Sequence, residues 1–322
     1  MKKDFCALFF LIISLSLNAQ DNQYSQFYAN KIYLNPAFSG ASICPRAILG
    51  FRDQWPGING EYVSYTASFD QLINGLGFGI LFNGDDAGRG VLKTNNFSGI
   101  ISPKIGLYRN VMLSFGLEAG IIQKRLDHSS LTFPDQFDQN GLIPDIPRQI
   151  NSDLSVLKPD FSAGVLLYSP FLYVGYSVHH LMNPDISLLR DSNVELLYRR
   201  HTAHLGANII LYEPNPIKRR KQLAPKISPQ IIFQQQGPAR EINLGVYYTK
   251  NNFTSGIYYR NQDALILLFG LQTKKLNFGF SYDVTLSKLK NNTLGAIELS
   301  IAYKFNCRKP KKNHVRIDCP SF

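Results

Sequence analysis

Residues Glu241 to Ser287 constrain the fold of this chain more than any other stretch. In Glu241-Ile-Asn-Leu-Gly-Val-Tyr-Tyr-Thr249, Ile242, Leu244, Val246 and Tyr248 point one way, and Glu241, Asn243, Gly245, Tyr247 and Thr249 point the other. Asn251-Asn252 turns the chain into a second run, with Ile257 and Tyr259 against Gly256, Tyr258 and Arg260. A third run sets Phe278, Phe280, Tyr282 and Val284 against Asn277, Gly279, Ser281 and Asp283. A period of two defines β-strands, because successive side chains leave opposite faces. One face is aliphatic or aromatic and the other small or polar. Segments of about ten residues with this alternation, joined by tight turns, predict a transmembrane antiparallel β-barrel. The competing fold is a soluble β-sandwich.

The N-terminus reads as an export signal over residues 1–20. Lys2 and Lys3 precede the apolar run Phe5 to Leu17, and Asn18-Ala19-Gln20 supplies a small residue for cleavage. Cys6 lies too early in this segment to accept a lipid. No later apolar run is long enough for a helical span. Charged residues make up only 18% of the chain, while Tyr (17) and Phe (22) abound, as expected for strands that face lipid on one side. The formal charge of +11 suits an anionic partner. Nucleic acid is excluded by export.

Fourteen strands are predicted, an even number as single-chain bacterial barrels have. They begin at Arg46 and end at Phe305. Residues 21–43 form an N-terminal segment folded in the lumen or along the periplasmic mouth. Residues 44–306 form the barrel, and residues 307–322 a basic tail. Pro103 predicts a bulge or strand end. If the N-terminus is periplasmic, connections after odd strands face outward and should be longer. Gly84 to Val91, Arg125 to Asp160 and Met182 to Leu196 obey this. Arg109-Asn110, Pro170-Phe171 and Asn251-Asn252 are short turns at the opposite end, and Tyr212 to Pro225 is an exception.

No catalytic constellation is present, so the chain is read as non-enzymatic, without cofactor or metal. His201 and His204, three apart on a strand, face opposite ways, and the adjacent His179 and His180 diverge too. Gly84 to Gly90 lacks the Lys-Ser/Thr of a phosphate loop. The six Asp between Arg125 and Asp160 fit no EF-hand spacing. After the signal, Cys44, Cys307 and Cys319 remain. A Cys44–Cys307 disulfide would cross the closing seam, and a Cys307–Cys319 disulfide would instead close a small loop in the tail. Three unpaired thiols are the third arrangement. Basic residues cluster at Lys218, Arg219, Arg220 and Lys221, and again at Arg308, Lys309, Lys311, Lys312 and Arg316. These are either solvated charge or a periplasmic docking surface for an acidic partner.

Several stretches, in order, resemble the PorP/SprF family of outer-membrane proteins of the type IX secretion and gliding system. They are Gln26-Phe-Tyr, Asn35-Pro36-Ala37 with Gly40, Arg52-Asp-Gln-Trp55 and Ser68-Phe-Asp70. Further along come Gly77-Phe-Gly79, Pro159 to Gly164, and Ser281-Tyr-Asp283 with Leu286-Ser287. The resemblance spans nearly all of the chain after the signal. It implies an outer-membrane barrel that helps export or anchor particular cargo, such as an adhesin with a C-terminal sorting domain. Partners would be outer-membrane lipid, the cargo, and periplasmic or outer-membrane secretion components. It implies no catalytic residues. The alternative function is a passive outer-membrane channel for small solutes. A secreted soluble adhesin is a third reading.

Overall fold

The computed structural model describes residues 21–42, 44–58, 60–108, 110–127, 137–138, 141–142, 154–188, 194–211, 224–287 and 293–307. Fourteen strands close into one antiparallel barrel. They are β1 Arg46–Gln54, β2 Tyr62–Ile73, β3 Leu76–Ala87, β4 Leu92–Tyr108 and β5 Val111–Leu126. Then come β6 Leu154–Tyr168, β7 Leu172–His179, β8 Arg200–Ala207 (continued by Ile209–Ile210), β9 Lys226–Gln236 and β10 Ala239–Lys250. The circuit ends with β11 Phe253–Arg260, β12 Ala264–Gln272, β13 Leu276–Thr285 and β14 Ala296–Lys304. Each strand pairs with its sequence neighbours, and β14 pairs with β1 from Arg46↔Lys304 to Gln54↔Ala296. Closure gives every strand a partner on each side, which is what lets a β-structure sit in lipid without an open sheet edge at membrane depth.

Alternation sets the two faces. On β13, Asn277, Ser281 and Asp283 are buried while Phe278 and Phe280 are exposed. Leu49, Phe51, Ile80, Phe97, Leu117, Tyr176, Leu244, Tyr259 and Leu299 carry the exposed apolar surface round the barrel. An apolar surface of that extent belongs against lipid. Phe280 lies mid-strand between Phe269 and Leu299. A Phe280→Arg substitution should therefore destabilise the inserted barrel by about 2–4 kcal/mol, read as a lower urea midpoint of the heat-modifiable folded band. An unchanged midpoint would reverse the facing of β13.

Connections 74–75, 251–252 and 273–275 are short and lie at one end of the barrel. The longest, 127–153 and 180–199, lie at the other. Short turns mark the periplasmic end of bacterial barrels. The exception, 211–225, is again at the short-turn end.

Some boundaries differ from the sequence reading. β6 begins at Leu154 rather than Phe161 and pairs along its whole extra length with β5, Leu126↔Leu154 to Gly120↔Asp160. β7 stops at His179, so Pro159 occupies a stretch of β6 with a strand on one side only, where a missing N–H costs little. β4 likewise runs straight through Pro103, which lies opposite the first residue of β3. The irregularity comes later, between Gly106 and Tyr108. Gly84 to Ala87, read as loop, extend β3 opposite Leu92 to Asn95. β8 begins at Arg200 instead of Leu197, because Leu197 folds inward onto Ile122, Val156 and Ile186.

Candidate functional site

The lumen is filled by the chain's own N-terminal segment. Nearly every residue from Tyr24 to Ser39 is buried. A helical turn, Lys31–Leu34, is followed by a tight 3-10 turn, Pro36–Phe38. Sequence explains the break between them. Asn35 precedes proline and is held extended (φ −156°, ψ 120°). Its Oδ1 accepts from Ala37 N–H at 2.9 Å, capping the second turn. Phe27, Tyr28, Ile32, Leu34 and Phe38 then pack against inward-facing Leu81, Ile100, Leu166, Tyr247, Tyr258 and Leu268 in one apolar layer.

Three sets of polar contacts fix this plug to the wall. At the first, Arg52 and Arg260 converge with Asp283 and Glu298 around Ser25. Arg52 donates to Asp283 (2.9 Å), to Glu298 (3.3 Å) and to Ser25 Oγ (2.8 Å). Arg260 donates to Asp283 (3.3 Å) and to Ser25 Oγ (3.0 Å). Ser25 in turn donates its hydroxyl to Asp283 and its N–H to Glu298, both at 2.6 Å. Both guanidinium groups and both carboxylates are fully buried, so each charge needs its partners.

The second set seats Asn35 to Ala37. Asn35 Nδ2 donates to the carbonyls of Val165 (3.1 Å) and Tyr176 (3.3 Å) and lies 3.1 Å from His204 Nε2. The Ala37 carbonyl accepts from Ser114 Oγ at 2.8 Å. Here the wall is thinned by Gly116 and Gly164, which face each other across β5 and β6. A Cβ on either would drive into Asn35, Pro36 or Ala37. At the third, Gly40 N–H donates to Asp70 at 2.9 Å, and Asp70 pairs with Arg46 at 2.7 Å. The segment thus climbs from the short-turn rim, where Cys44 and Cys307 are disulfide-bonded, to the long-loop mouth.

Asp21 ends this climb. Its carboxylate lies 2.8 Å from His180 Nε2 and 3.0 Å from Arg200, and His180 Nδ1 lies 2.9 Å from Asp160. Burial alone would raise the Asp21 carboxyl, but His180 and Arg200 outweigh it and hold it well below its ordinary range. Burial alone would lower His180, but the Asp21 charge and its hydrogen bonds to Asp160 and Asp21 outweigh it, and push it up to about 9. A raised histidine gives stability that is fully present below pH 6.5 and lost as pH rises through about 9. The lowered Asp21 acts oppositely, losing its contribution as pH falls below 3.8. The thermal midpoint in detergent should therefore fall between neutral pH and pH 9. His180→Gln should flatten that fall, which amounts to on the order of 3 kcal/mol at most. An equal slope in the variant would show that this clamp does not hold the plug.

Above the plug, at the long-loop end, is a cavity of about 850 Å³. Asp21, Tyr33, Trp55, Tyr62, Glu118, Lys124, Asp160, Arg200, Glu241 and Asp263 are among its lining residues. Lys124 pairs with Glu195 of the β7–β8 loop at 2.6 Å.

The residues that carry the family resemblance meet here. Asn35, Pro36, Ala37 and Gly40 belong to the plug. Arg52, Asp70 and Asp283 hold it, and Trp55 borders the cavity. His201 bonds Tyr176 on the outer face (2.7 Å) while His204 stacks on Phe38 inside (5.2 Å between rings). His179 and His180, expected to diverge, are both buried in the lumen. The strand ends at His179, and positive φ (57°) at His180 swings the second ring back inward. Among the described residues no group of His, Cys, Asp or Glu is arranged to hold a metal. Lys218, Arg219, Arg220, Lys221, Arg308, Lys309, Lys311, Lys312 and Arg316 lie outside the described residues, as do Cys319 and the export signal. Sequence reading did not single out Ser25, Glu118, Arg200 or Glu298, and it took Asp160 only as part of a family stretch. For Glu118 and Glu298 the signal was a charge at an inward-facing position of a mostly apolar strand.

A family model described as "Type IX secretion system membrane protein PorP/SprF" matches residues 16–303. No curated protein matches. Among solved structures, the toluene transporter TbuX of Ralstonia pickettii is 13% identical with a TM-score of 0.49, over 87% of this chain and 94% of that one. The toluene transporter TodX of P. putida is 11% identical with a TM-score of 0.46, over 86% and 93%. A Pseudomonas aeruginosa FadL homologue is 12% identical with a TM-score of 0.43, over 89% and 99%.

Proposed function

The chain belongs to the PorP/SprF family of type IX secretion system membrane proteins, and we propose that within that system it helps export or anchor particular cargo, such as a cell-surface adhesin of the gliding apparatus. As a membrane protein of that family built as a closed barrel with an apolar exterior, it resides in the outer membrane. The cargo would carry a C-terminal sorting domain, and other secretion components would meet the barrel at its two rims. The observation that carries this reading is the filled lumen. A barrel whose interior is packed with its own residues 24–39 is built to present surfaces and not to conduct. The same observation opposes a passive solute channel. No step of this role needs catalysis. The test is a comparison of secreted and surface proteins with and without the gene. Loss of one or a few surface proteins, which accumulate inside the cell, supports a dedicated accessory. An unchanged set, with altered uptake of a small solute, would overturn it.

A further inference from the structure

The outer cavity has a chemistry that its place above the plug does not require. The chain is strongly basic overall, yet seven carboxylate residues line the cavity against four lysines and arginines. Most of these charges are mutually paired, but one wall keeps acceptor atoms that no donor among the described residues reaches. On adjacent strands β3 to β6, Asn83 Oδ1, Asn96 Oδ1, Glu118 Oε2 and Asp160 Oδ1 are buried without a hydrogen-bond donor among the described residues. They lie on four successive strands along one wall. Asn83 lies directly opposite Asn96, Ser98 two residues on donates to Glu118 Oε1 at 2.6 Å, and Asp160 lies opposite Gly120, two residues from Glu118. His179 Nδ1 lies 3.9 Å from Glu118 Oε2, beyond hydrogen-bond reach.

Buried acceptors are normally satisfied, and leaving several unpaired on one wall of a cavity is costly. Four acceptors on one wall, two of them carboxylate oxygens, match a ligand that brings several N–H donors and a positive charge. A guanidinium fits this best, because it offers five donors in a planar fork and stays charged. Trp55 and Tyr62, 5.9 Å apart, also line the cavity and offer aromatic faces to a cation. The volume suits a compact ligand or a few residues of peptide. We propose that this cavity binds a guanidinium group, carried by a free small molecule or by an arginine side chain of a polypeptide. The proposal does not depend on the role in export, since it is read on the isolated protein.

Trp55 is the chain's single tryptophan, so its fluorescence reports on the cavity directly. The full chain, folded in detergent and checked by its heat-modifiable band, would be titrated by fluorescence and by calorimetry. The probes are free arginine, the peptide Gly-Gly-Arg-Gly-Gly, and the same peptide with citrulline, which keeps the shape and loses the charge. The arginine peptide should bind at least about tenfold more tightly than the citrulline peptide, and Glu118→Gln should erase about that factor. Binding of free arginine as well as the peptide supports a small-molecule source, and binding of the peptide alone supports a polypeptide. If Glu118→Gln does not fold, Asn96→Leu removes a neighbouring acceptor without altering charge and should weaken binding in the same direction. Equal affinity for arginine and citrulline peptides, or no binding by folded protein at about 1 mM ligand, overturns the proposal.

Discussion

Replacing Arg52 with methionine should destabilise the barrel by about 3–5 kcal/mol, because it strips a buried charge cluster of one of its two cations. Arg52 touches Asp283, Glu298 and Ser25 at once. Without it, Glu298 loses its one cation among the described residues, and Asp283 keeps only Arg260, which is also committed to Glu241 (3.4 Å) and Asp263 (3.3 Å). Glu298 is 1% exposed and lies where no water can replace the lost donor. The plug should loosen with it, since Glu298 also accepts the backbone N–H groups of Ser25 and Gln26. The denaturation midpoint and the protease sensitivity of residues 21–40 should change together. Arg52→Lys keeps the charge, but one ammonium cannot span three separated acceptors, so a smaller loss of about 1–3 kcal/mol is expected. Adding Glu298→Gln to Arg52→Met should recover part of the loss, and the double-mutant cycle measures the coupling. An Arg52→Met protein within about 0.5 kcal/mol of the parent, with an equally protected plug, would remove this cluster from the account.

The barrel was legible because its strands are lipid-facing on one side, and lipid tolerates only apolar side chains there. That constraint writes alternation into Phe278, Phe280 and Tyr282 without reference to any distant residue. The lumen was less legible. β12 reads as uniformly apolar because Ile266 and Leu268 face the plug while Leu267 and Phe269 face lipid. Two apolar environments erase the period of two. Arg52, Asp70 and Asp283 stood out as motif residues, but not as partners of Ser25 and Gly40. The Ser25–Glu298 bond joins residues 273 apart, and no local pattern encodes such a pairing. His180 was misread for a local reason, since positive φ at the strand end breaks the parity on which the facing argument rests.

Deleting residues 24–39 should turn a silent barrel into a steady pore in planar bilayers. The strand ladders close through β1 and β14 without help from the plug. Much of the inward face is Ser, Thr, Asn and Gly, which water can solvate, so the emptied barrel should still insert. The plug, however, places five apolar side chains (Phe27, Tyr28, Ile32, Leu34 and Phe38) in the luminal layer. Each contributes about 1.5–3 kcal/mol of burial, so no single truncation should open the lumen for long. A graded series follows from this. The parent should pass no current, Gly164→Val, which collides with Asn35 and Pro36, should give brief openings, and the deletion should conduct continuously. Full conductance by the parent would mean that the plug leaves the lumen spontaneously and would restore the channel reading. A folded deletion variant that stays silent would mean that the lumen is closed by something other than residues 24–39.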